Sequence, residues 1–176
     1  YFFIHHLAGI EDYRLKEIAY FDSAAKDVNG YEGVKNFLQS TFNKDITDRT
    51  EFIVSDRKFY CLGCSEKALW ISFKDFFSLP CASKDFIEIV KTFEWVFIND
   101  FHLCNDDHLD KLRRFISFID IAYQEKQKLK FFYDPNLIIN LYSGTQLHHL
   151  WVRTESRLHQ ISTTKYLQNL EKNLTK

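Results

Sequence analysis

EWVFINDFHLCNDDHLDKLRRFISFIDIAYQEKQKLKFFY, residues 94–133, is the stretch on which the fold turns. It opens on EWVFI, a continuous apolar run of the kind that a strand buried on both faces requires. Leu109, Leu112, Ile116, Ile119 and Tyr123 then recur at helical spacing and make one stripe. Asp106, Asp107 and Asp110 sit at the positive end of that helix, with Lys126 and Lys128 just beyond the negative end, as the helix dipole favours. LKFFY closes the stretch as a second apolar strand. Strand, helix and strand in this order predict a parallel, right-handed βαβ crossover.

Upstream of it, Ser83 is expected to cap a helix carrying Phe86, Ile89 and Val90 on one face. Before Pro80 the period changes. EFIVS, KFYCLG and ALWISF are short runs of aromatic and β-branched residues separated by Asp56-Arg57 and Ser65-Glu66-Lys67, which predicts a β-meander. Cys61 then lies on the inward side of its strand and Cys64 in the turn after it. FKDFFSLP ends the meander with a helical turn that Pro80 stops. From Tyr31, Val34, Phe37, Leu38, Thr41 and Phe42 fall at helical spacing behind Asn29-Gly30. YFFIHH at the front reads as a buried strand, and Tyr166, Leu167, Leu170 and Leu174 as the face of a last helix from Thr163. The fold class is α/β, with a small β-meander and a βαβ unit. Its segments are 1–50 (strand and helix), 51–80 (meander) and 81–176 (α/β unit with a C-terminal helix).

Composition bounds the rest. The chain has 176 residues, 45% hydrophobic and 17% aromatic, enough to build a core and too apolar for a disordered segment. A net charge of -1 argues against nucleic-acid binding, which wants a basic surface. No apolar run reaches the ~18 residues that span a bilayer. Met is absent and the front carries no signal-peptide pattern, so the expectation is a processed chain or a piece of a longer one. Cys61, Cys64, Cys81 and Cys104 are too scattered for a disulfide framework and fit reduced thiols in a cytoplasmic setting.

Chemistry-bearing motifs are sparse. There is no G-x-x-x-x-G-K-[ST] and no G-x-G-x-x-G, and the glycines stand alone, so no loop offers a run of backbone N–H groups to a phosphate. Cys61-x-x-Cys64 is half of a zinc spacing without a second close pair, His102, Cys104 and His108 make a loose cluster, and His5-His6 and His148-His149 are adjacent pairs, weak as ligands. No metal site is expected. There is no G-x-S-x-G elbow, and Cys81 has no base near it in sequence. The arginines are more informative: Arg113-Arg114 start the long helix, and Arg153 and Arg157 share a face if WVRTESRL is helical. Two such guanidiniums suit a phosphate from a neighbouring site, or internal carboxylates such as Asp120.

These residues fall into an order. Asp12-Tyr13-Arg14-Leu15, Arg57 between two strands, Phe73, Pro80 and Asp85 in FKDFFSLPCASKDF, and VFIND (96–100) come first. RRFISFIDIAY (113–123), Leu141-Tyr142, RTESRL (153–158) and Tyr166-Leu167 follow. The chain resembles, over most of its length, the C-terminal portion of the ZapE/AFG-like ATPases, P-loop (AAA+-like) proteins of bacterial cell division with mitochondrial relatives. Among the arginines only Arg49 falls outside the matching positions. His102, Tyr133-Asp134, Cys81-Ala82 and His159-Gln160-Ile161-Ser162 depart from the family pattern. The resemblance implies ATP and Mg²⁺ as cofactors of a parent protein whose P-loop residues lie upstream, with none bound by this chain alone. It implies that Arg153 or Arg157, or else Arg113 or Arg114, reaches a phosphate in cis or across a subunit contact. Asp100 would stand at a Walker-B-like strand end. The implied partners are an upstream ATPase core, further copies of the chain and cell-division proteins, in a bacterial cytoplasm near the division site. A non-enzymatic interaction module of the same fold is the alternative.

Overall fold

A computed structural model of the chain describes residues 31–41, 46–100, 102–132 and 142–161. The expected strand at YFFIHH, the Asp12–Leu15 element, Asn29-Gly30, Phe42, Tyr133 to Leu141 and the last helix from Thr163 lie outside the described residues.

The described elements run α1 (Tyr31–Thr41), β1 (Thr47–Val54), β2 (Arg57–Cys64), β3 (Ala68–Ser72), α2 (Phe73–Phe76) and α3 (Ser83–Thr92). They continue with β4 (Trp95–Asn99), a 3₁₀ turn (Asp106–His108), α4 (Leu109–Gln124), β5 (Lys128–Phe131) and α5 (His148–Ile161). All five strands form one sheet in chain order, β1-β2-β3-β4-β5. β1, β2 and β3 pair antiparallel, whereas β3, β4 and β5 pair parallel. The meander and the α/β unit therefore share a sheet, joined at β3. Every residue of β3 and β4 is buried, as the apolar runs require.

Side-chain alternation splits the core across the sheet. Leu69, Ile71, Val96, Ile98 and Phe131 face α3, α4 and α5, together with the hairpin residues Phe52, Val54, Phe59 and Cys61. Ala68, Trp70, Trp95, Phe97 and Phe132 face the other way, onto Val34, Phe37 and Leu38 of α1. Tyr31 stacks on Trp70 at 5.0 Å between ring centroids, and Lys35 pairs with Asp48 of β1 at 2.6 Å.

Both crossovers, β3–α3–β4 and β4–α4–β5, step the same way across the sheet. The right-handed rule then puts α3 and α4 on one face, where they pack on each other. A phosphate crevice in an open α/β sheet forms where the strand order reverses. Among the described strands it does not reverse, so the fold opens no such crevice here.

Three local expectations are corrected. α3 starts at Ser83, but Ala82 is its N-cap, and the Ala82 N–H donates to Asp85 Oδ2 at 2.8 Å. Asp85, three residues on, reaches back to the N–H of the cap residue, and the Ser83 Oγ instead meets Ser117 Oγ on α4 at 3.5 Å. Cys64 is the last residue of β2, opposite Thr47, and lies outside the turn. β1 begins at Thr47, well before EFIVS, because its first half, Thr47 to Thr50, is held by backbone pairing to β2 while its side chains stay largely exposed. Gly63 is required there: a Cβ would stand 2.5 Å from the Thr47 carbonyl oxygen.

Candidate functional site

α4 and α5 pack side by side, and two ion pairs that share Asp120 lie in their seam. Asp120 on α4 faces two guanidiniums from α5. Arg153 Nη2 donates to Asp120 Oδ2 at 2.5 Å, and Arg157 Nη1 donates to Asp120 Oδ1. The four-residue spacing places both arginines on one face because this stretch is helical. Their surroundings differ. The Arg157 side chain is 20% exposed and lies over the Tyr123 ring, 5.4 Å from its centroid, while Tyr123 OH donates to Gln160. The Arg153 side chain is 52% exposed.

The other two arginines point elsewhere. Arg113 pairs with Asp110 at 3.6 Å, one turn back along α4 and out in solvent. Arg114 donates to the Phe77 carbonyl at 3.1 Å, tying α4 to the segment after α2. Asp100 follows β4 in left-handed backbone with φ 58° and is exposed. Its carboxylate accepts from Asn99 Nδ2 at 3.0 Å, and its carbonyl from His102 Nδ1 at 3.0 Å. The buried Asn99 Oδ1 beside it has no partner among the described residues. No three His, Cys, Asp or Glu side chains converge on a cation position among the described residues. The thiols of Cys61, Cys81 and Cys104 are unsuited to nucleophilic work. Burial, with Cys64 beside it, pushes Cys61 up to about 12; burial pushes Cys81 and Cys104 up to about 11.

Two carboxylates that sequence reasoning placed without partners turn out to organise this half of the molecule. Asp85, fully buried, accepts from Arg57 Nη1 at 2.8 Å, while Arg57 Nη2 reaches the Pro80 carbonyl. Asp106 accepts from the Thr145 N–H at 3.0 Å, the Gln146 N–H at 3.2 Å and the Tyr142 hydroxyl, just ahead of α5. It thereby fixes the start of the helix that carries Arg153 and Arg157. Gly144 leaves the room this needs, since a Cβ there would collide with Asp106 and Tyr142.

The Tyr142 hydroxyl, then the backbone N–H donors, hold the Asp106 carboxyl below the usual carboxylate range. A depressed folded value stabilises the fold above the unfolded value of about 4, and this contribution disappears as pH falls through the folded value. Asp106→Asn is therefore expected to lower Tm at pH 7, with the gap to wild type closing on acidification. Thermal unfolding across pH 2–7 checks it, and a gap that does not change with pH would count against the assignment.

The sequence profile of the AFG1-like ATPase family matches residues 2–170. No curated protein and no solved structure matches the chain. The chain belongs to the AFG1-like ATPase family, and its mixed five-stranded sheet with helices is compatible with that family's C-terminal region. ATPase activity, nucleotide binding, and the use of ATP with Mg²⁺ attach to the family at large. The described residues do not fit a complete Mg²⁺–nucleotide site. The strand order makes no crevice, the acids do not cluster, and Asp100 is engaged by its neighbours. No helix among the described residues is long and apolar enough to cross a membrane.

Proposed function

We propose that this chain, as a member of the AFG1-like ATPase family, is the C-terminal α/β portion of a ZapE-like ATPase whose P-loop residues lie upstream of it. The observation that carries this is the coincidence of a family match over residues 2–170 with a sequence that contains no phosphate-binding loop. ATP hydrolysis then belongs to the parent protein and proceeds by positioning and charge stabilisation of the transferred phosphoryl group.

In this reading the α4–α5 seam is the part of the chain that addresses the nucleotide. Arg153, half-exposed on α5, is the arginine best placed to reach a phosphate, in cis or across a contact between copies of the protein. Arg157 supports it from a more buried position. Arg113 and Arg114 are weaker candidates, given their existing contacts with Asp110 and Phe77. Asp100 keeps the place of a Walker-B-like strand end with a structural role. The resemblance further suggests work at the bacterial division site, from the cytoplasm and through cell-division proteins.

Arg153→Ala in the parent is expected to lower the ATP turnover number by about tenfold or more while nucleotide affinity stays within about twofold, the signature of a transition-state contact. Steady-state kinetics alongside nucleotide binding tests it. Unchanged turnover in a folded variant would return the pair to a purely structural role.

A further inference from the structure

The α4–α5 seam does not balance. One carboxylate faces two guanidiniums, and each of its oxygens takes one donor from one arginine. A guanidinium carries five N–H donors, so both arginines keep most of theirs in reserve. The cluster of Asp120, Arg153 and Arg157 carries a formal charge of +1.

The two arginines are held unequally. Arg157 has the Tyr123 ring under it and little exposure, so leaving Asp120 would cost it both a charge-assisted hydrogen bond and a stacking contact. Among the described residues, Asp120 is the one hydrogen-bonded partner of Arg153, and its side chain is half in water. Exposed ion pairs of that sort contribute little and are readily exchanged. A phosphoryl group offers the same planar-fork chemistry as a carboxylate, with more charge and more acceptor oxygens.

We propose that Arg153 is an oxyanion-binding side chain held in reserve by Asp120, and that a phosphoryl group entering the α4–α5 seam displaces Asp120 from Arg153 while Arg157 keeps it. Asp120 is thus an internal competitor for the ligand as well as a tether that fixes where Arg153 waits. This rests on the preceding reading of the seam and deepens it by naming the group that the phosphoryl must displace.

The test uses the whole chain, with no dependence on turnover. Inorganic phosphate is titrated at constant ionic strength, with chloride as the control, and the arginine Nε–Hε resonances are followed by NMR. The Arg153 resonance is expected to move with phosphate and to stay put with chloride. Asp120→Asn is expected to lower the phosphate midpoint about fivefold, the factor for removing one unit charge about 4 Å away in water. Arg153→Ala, an exposed change that leaves the Arg157–Asp120 pair in place, is expected to abolish the response of the α5 resonances. ATP with Mg²⁺ should move the same resonance if a nucleotide is the source of the phosphoryl group; a response to phosphate and none to ATP leaves the site to free phosphate. An unchanged or raised midpoint in Asp120→Asn, or a phosphate response that survives Arg153→Ala, would overturn the proposal. Phosphate exchange here together with normal ATP turnover in the Arg153→Ala parent would sink the ATPase reading of the seam and leave the binding site standing. Loss of turnover without phosphate exchange would do the reverse.

Discussion

Replacing Arg57 with alanine is expected to destabilise the fold by about 3 kcal/mol, the low end of what removing one partner of a buried ion pair costs. Asp85 is fully buried, and its Oδ2 takes both the Arg57 guanidinium and the Ala82 N–H, each at 2.8 Å. Its Oδ1 has no partner among the described residues. Without Arg57 the carboxylate would keep one backbone hydrogen bond and no counter-charge, in a site walled by the start of α3. The Arg57 side chain is itself 38% exposed, so water entering the vacated space limits the loss. Arg57→Lys should rescue little. The guanidinium fork serves Asp85 and the Pro80 carbonyl at once and lies over the Phe59 ring, 5.1 Å from its centroid. Adding Asp85→Asn to Arg57→Ala should recover part of the loss, because it removes the stranded charge. Denaturant unfolding of the single and double variants reads all of this. An Arg57→Ala chain as stable as wild type would mean that the pair is incidental.

Phe77→Ala is expected to cost about 3–5 kcal/mol, a large part of the 5–15 kcal/mol that holds a typical domain together. The ring is fully buried just after α2. Its centroid lies 5.1 to 6.4 Å from those of Phe73, Phe76, Phe86, Phe115 and Phe118, so it joins the segment after β3 to both α3 and α4. These neighbours are rings on three different helices, so the cavity cannot close by one side chain swinging in. The backbone there is also occupied, since the Phe77 carbonyl accepts from Arg114. Phe77→Leu should cost markedly less, because it refills most of the volume. A shift in denaturation midpoint at constant slope is the expected signature. A shift under 1 kcal/mol would show that the aromatic cluster repacks freely.

What was legible in the sequence was whatever depends on period. The buried strands β3 and β4, the stripe on α4 and the parallel crossover follow from apolar spacing alone, because the residues that signal each element also build its contacts. LKFFY begins one residue later than β5, since the first residue of the strand, Lys128, is buried but does not read as a core position. The first half of β1 was missed because Thr47 to Thr50 carry no alternation; backbone pairing to β2 alone makes them a strand. The site divides in the same way. Arg153, Arg157 and Asp120 were all named, because helical spacing aligns the arginines. The pairing of Arg57 with Asp85, and the reach of Asp106 to Thr145 and Gln146, join elements far apart in the chain. Nothing local encodes such contacts, and tertiary packing alone sets them.

On the proposed function, this chain supports an ATPase without holding a nucleotide site of its own. The test is ATP turnover, measured side by side for the 176-residue chain and for the proposed longer protein with a P-loop. Turnover is expected in the longer protein and not in the chain alone. Turnover by the chain alone would contradict it, and absence in both would make the protein a partner-binding module on an ATPase-derived fold.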